Sequence, residues 1–108
     1  MLIHVGKDLQ PQLQEPEDLR SFKLVIEAQH WQLNAIRAAF VPAGKVEDDK
    51  IAWVNESWLR SEAPMCDDPA WQDGFRKMVD YAKSKGWVDP ATGAIRAHIE
   101  WKTEPAGA

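Results

Sequence analysis

The stretch Gly86-Trp87-Val88-Asp89-Pro90-Ala91-Thr92-Gly93-Ala94-Ile95-Arg96-Ala97-His98-Ile99-Glu100-Trp101 decides how the rest of the chain is read. Gly86 supplies the left-handed stop of a preceding helix. Asp89 to Gly93 carries turn chemistry. From Ile95 onward the residues alternate with the period of two expected of a half-buried strand. Ile95, Ala97, Ile99 and Trp101 make one face apolar, and Arg96, His98 and Glu100 make the other polar.

Upstream of that strand, Asp68 and Pro69 open a helix as N-cap and first helical residue. Trp71, Phe75, Met78 and Ala82 form its apolar stripe, and Lys83 and Lys85 suit its last turn. Met1 to Val5 reads as a first strand. Gly6 to Gln14, with Pro11, reads as loop. Pro16 to His30 reads as a helix on the spacing of Leu19, Phe22 and Ile26. Ala35 to Val41 reads as a strand ended by Pro42 and Gly44, in a hairpin with Ile51 to Asn55. Glu56 to Asp67 reads as a loop or short irregular helix.

The element order β-α-β-β-α-β predicts an α+β, ferredoxin-like domain. Its four-stranded antiparallel sheet would follow the order 4-1-3-2, with two helices on one face. The domain spans residues 1–102, and residues 103–108 form a flexible C-terminal tail. A faint repeat supports the order: Ala35-Ile36-Arg37-Ala38 matches Ala94-Ile95-Arg96-Ala97, and Trp31 matches Trp87. The rival is a mostly α-helical chain, in which Leu33, Ile36 and Phe40 continue the first helical stripe.

Composition narrows the function classes. The chain has 108 residues, 44% hydrophobic and 28% charged, with a net charge of −4. That balance suits one globular domain. Net acidity disfavours nucleic acid, which is bound by Lys and Arg neutralising phosphates. No apolar run approaches a membrane span. The lone Cys66 excludes an intrachain disulfide and points to a cytoplasmic setting. Six tryptophans imply a strongly aromatic core, with one or two indoles left for a pocket or interface. Neither a phosphate-binding glycine loop nor a serine-hydrolase motif is present, so no cofactor is assigned.

In the expected topology the last strand pairs with the first, and its polar row lies on the open sheet face. His98, Glu100 and His4 are then the candidate acid–base residues, because imidazole changes charge near neutrality and a carboxylate can orient it. Arg96, Arg37 and Trp53 are the candidate substrate-binding residues: the guanidinium holds an oxyanion and the indole offers an apolar plate. His4, His98 and Glu100 are also metal-ligand types, but they lack metal-site spacing, and no metal is assigned. The expectation is a homodimer enclosing a small-molecule pocket on the open face. Its chemistry would be cofactor-independent isomerisation, cyclisation or lyase cleavage. The alternative is a protein-interaction module: an accessory subunit, inhibitor or immunity-type protein.

Overall fold

The computed structural model describes residues 1–102; the expected tail at 103–108 lies outside them. In chain order the elements are β1 (Leu2–Val5), β2 (Pro11–Gln14), β3 (Lys23–Ile26), α1 (Leu33–Phe40), β4 (Gly44–Val46), β5 (Ile51–Val54), α2 (Glu56–Glu62), α3 (Pro69–Ser84) and β6 (Ile95–Trp101), with a 3-10 turn at His30–Gln32. All six strands join one sheet in the order β2-β1-β3-β6-β5-β4. β1, β3 and β6 run parallel to one another, and β2, β5 and β4 are antiparallel flanks.

The α+β class holds, but the ferredoxin-like arrangement does not. The sheet has six mixed strands rather than four antiparallel ones, and three α-helices rather than two. The mostly helical rival fails with it. The decisive difference is β3, which lies inside the segment expected to be a helix from Pro16 to His30. Leu24, Val25 and Ile26 are all buried. Leu24 and Ile26 face the core, and Val25 is buried on the opposite face between His4 and Glu100, so the strand reads as a continuous apolar run. The helical spacing of Leu19, Phe22 and Ile26 is therefore accidental.

The segment expected as the strand Ala35–Val41 is instead α1, which buries Ile36 and Phe40 four residues apart. The stripe used by the helical rival was thus right for this segment alone. The two A-I-R-A copies adopt different structures, helix and strand, so the repeat has no structural counterpart. The hairpin partner of β5 is β4, not residues 35–41. Gly44 starts β4 because a Cβ there would stand 1.9 Å from the Trp53 carbonyl oxygen. The expected loop at Gly6–Gln14 contains β2. This is an edge strand, where a proline such as Pro11 costs no ladder bond.

The helix ending near Gly86 and the final strand are as expected. Asp68 caps α3 by accepting the Ala70 N–H at 2.9 Å, and Pro69 follows it. α3 buries Trp71, Phe75, Val79 and Ala82, while Met78 is only partly covered. The apolar side of β6, Ile95, Ala97 and Ile99, joins Ile3, Val5, Leu24 and Ile26 in one core with the helices. Each buried Ile, Leu or Val among them contributes roughly 1.5–3 kcal/mol. Of the six indoles, only Trp58 and Trp71 are buried; Trp31 and Trp87 are exposed.

No helix among the described residues is long and apolar enough to cross a membrane.

Candidate functional site

The strand registers set out the sheet face opposite the core. One row runs Gln12, His4, Val25, Glu100, and the next Gln14, Leu2, Lys23, His98, Ile51. Arg96 then stands beside Trp53, which stands beside Lys45. Five of the six residues expected at a site, His4, Trp53, Arg96, His98 and Glu100, therefore share this face. Arg37 does not. It belongs to α1, and its guanidinium donates to the Val46 and Glu47 carbonyls at 3.0 and 2.6 Å. It fastens the helix to the end of β4.

The acid–base residues share a face without forming a cluster. β3 separates the first strand from the last, so His4 and Glu100 are two strand spacings apart, about 10 Å. The His4 imidazole lies 3.2 Å from the Glu27 carboxylate. Glu100 accepts from the Lys23 ammonium at 2.9 Å, and this bond, with the Lys23 charge, holds its carboxyl below the usual range. Trp53 donates its indole N–H to Glu47 at 3.2 Å. Among the described residues, no three His, Cys, Asp or Glu side chains gather into a metal-binding group.

A different feature is built where β6 begins. β3 starts at Lys23, opposite His98, so the residues before it leave the sheet. The edge of β6 near Ile95 is taken instead by the chain leaving α3: Val88 bridges Ile95, and the Trp87 carbonyl accepts the Arg96 N–H at 2.7 Å. Between this hairpin, the Leu19–Phe22 segment and α3 lies a cavity of 460 Å³. Leu19, Phe22, Met78, Tyr81, Trp87 and Ile95 give it apolar walls. Arg20, Lys77 and Arg96 supply all of its charged lining.

The walls are fixed by identifiable contacts. Trp71 donates its indole N–H to the Pro16 carbonyl at 2.8 Å, tying α3 to the start of this segment. Asp18 accepts from the Arg20 N–H and the Ser21 hydroxyl, at 3.1 and 3.0 Å, and these bonds hold its carboxyl below the usual range. Gly74 of α3 leaves room for Leu19, whose Cδ1 would stand 2.6 Å from a Cβ there. Trp87 meets Tyr81 edge to face, with ring centroids 6.0 Å apart.

The charges are unevenly committed. Lys77 pairs with Asp73 at 3.1 Å. Neither Arg20 nor Arg96 forms an ion pair among the described residues. A second hollow of 310 Å³, lined by Phe22, Ile51, Trp87, Arg96 and His98, shares Phe22, Trp87 and Arg96 with the first. The two hollows adjoin at these three residues, one on the helix side and one on the open sheet face, and we treat them as the two arms of one candidate groove.

Of this groove, sequence reasoning found Arg96 and His98 and missed the apolar walls. Leu19 and Phe22 belong to the expected helix from Pro16 to His30, which does not form. One signal was present: Met78 and Tyr81 widen the apolar arc of α3 beyond what one core face needs. No family model, no curated protein and no solved structure matches the chain.

Proposed function

We propose that this protein is a small-molecule-binding module whose groove takes a ligand with an apolar or aromatic body and a negative charge. The supporting observation is electrostatic. The chain carries a net charge of −4, yet the charged lining of the cavity beside α3 is wholly cationic. A guanidinium beside an apolar wall favours a carboxylate, which it can hold through two parallel hydrogen bonds. The volume falls in the range of small-ligand pockets, about 300–1,000 Å³. One chain supplies every wall, so binding does not depend on the homodimer expected from the sequence. Binding is favoured over histidine acid–base catalysis because Glu100, the expected partner of His98, is engaged by Lys23.

Naphthoate is a suitable probe, titrated calorimetrically against the wild type and Met78→Trp, which fills the cavity from a partly exposed position. The wild type should bind it with micromolar to millimolar affinity, and Met78→Trp should bind at least about tenfold more weakly with an unchanged melting temperature. Equal affinity for both proteins would count against the groove.

A second reading, a protein-interaction module, is favoured by Trp31, which is 82% exposed on its 3-10 turn. Large exposed aromatics are typical anchors at interfaces. Under that reading naphthoate leaves the groove empty, and Trp31→Ser is the substitution that weakens association with a partner protein.

A further inference from the structure

We infer that the ligand is an elongated acid, whose apolar body lies in the cavity of α3 and whose carboxylate extends past Arg96 to His98 on the open sheet face. This rests on the groove proposed above and adds the ligand's shape and polarity. The two arms meet at Phe22, Trp87 and Arg96. The helix-side arm is walled by Leu19, Met78 and Tyr81, and of its own two cations, Arg20 and Lys77, the second is already paired with Asp73. The outer arm replaces them with His98, whose side chain is exposed and has no hydrogen-bond or ion-pair partner among the described residues.

Distance sets the shape. Arg96 and His98 are two residues apart on β6, about 6.6 Å along the strand. An acid joined directly to a ring in the cavity reaches Arg96 and stops. A spacer of a few methylenes carries the carboxylate between the guanidinium and the imidazole, where both donate to it. The rings of Phe22 and Trp87 flank this passage and suit an alkyl spacer.

The charges around His98 permit such a contact. Arg96 and Glu100 flank it on β6, Lys23 stands opposite on β3, and β5 presents the uncharged Ile51. Glu100 is turned to Lys23, which offsets its repulsion of an incoming carboxylate. The His98 imidazole therefore adds a hydrogen-bond donor to a site already positive through Arg96.

The test compares naphthoate, naphthylbutyrate and the neutral naphthylbutanol on the wild type, His98→Ala and His98→Gln, by calorimetry. Wild type should prefer naphthylbutyrate to naphthylbutanol by about tenfold or more. That preference should fall several-fold in both variants, by more than any change in naphthoate affinity. Unchanged naphthylbutyrate affinity in both variants, with naphthoate still bound, overturns the elongated acid and leaves the cavity standing. Failure of both acids to bind overturns the two together.

Discussion

The carbonyl of Trp87 accepts the backbone N–H of Arg96 at 2.7 Å, and an indole and a guanidinium thereby come to line the same groove. The bond exists because β3 starts late. With no strand beside Ile95 on that edge, the segment leaving α3 pairs there instead. A gap in the parallel part of the sheet is thus turned into a binding groove whose outer mouth lies at Trp87.

Trp87→Ala should reduce naphthoate affinity by about tenfold, because the ring supplies much of the apolar wall between the two arms. Trp87 is 39% exposed, so its removal should cost stability on the order of only 1 kcal/mol. Calorimetry and urea denaturation read the two effects separately. A large stability loss with unchanged affinity would assign the indole to the core instead.

Gly74→Ala should change affinity more than stability. Alanine gains about 1 kcal/mol over glycine inside a helix. The new methyl must displace Leu19, whose flexible end stands 2.6 Å from its position. The two effects offset, and the displaced Leu19 narrows the cavity. The expected result is a melting temperature within a few degrees of wild type and several-fold weaker naphthoate binding.

Phe75→Ala should cost about 3–5 kcal/mol, the usual range for deleting a buried aromatic side chain. Phe75 is fully buried, stacks on Trp71 with ring centroids 4.9 Å apart, and carries the Arg60 guanidinium 4.7 Å above its ring. Urea denaturation measures the loss directly, and a loss under 1 kcal/mol would show that α3 is held mainly by other contacts.

Much of this core was legible from the chain. The α3 stripe, its Asp68-Pro69 start and the alternation of β6 are local patterns, and local patterns survive into the structure. β3 was not legible, because Leu24, Val25 and Ile26 are buried whichever face they take, and the strand has no alternation to show. Leu24-Val25-Ile26 beside Leu19 and Phe22 imitates a helical stripe. That one substitution of strand for helix changed the sheet order and moved the first strand away from the last. His4 and His98 nevertheless reached the same face, since alternation fixes facing whatever strand lies between. Arg37 was lost to the site for a related reason: the A-I-R-A run has no period long enough to separate helix from strand.

Acid should weaken the fold through carboxylates held below their usual range. For Glu100 the main cause is the hydrogen bond from Lys23; for Asp48 it is the backbone N–H groups of Lys50 and Ile51; for Asp73 it is the hydrogen bonds from Lys77 and Arg76. Depressed groups stabilise the folded state above their unfolded values, 4.5 for Glu100 and 3.8 for the aspartates, and the contribution disappears as pH falls through the folded ones. Lys23→Met should therefore lower the urea midpoint near pH 7 and converge on wild type at about pH 2. Parallel curves for the two proteins across the acid range would mean that the Lys23–Glu100 pair contributes nothing.

The most direct measurement is a crystal structure of the protein with naphthoate. The ring should lie in the cavity between Leu19, Met78 and Trp87, with its carboxylate within hydrogen-bond distance of the Arg96 guanidinium. A ring seated instead on Trp31 or Trp53, with the groove unfilled, would contradict the proposal.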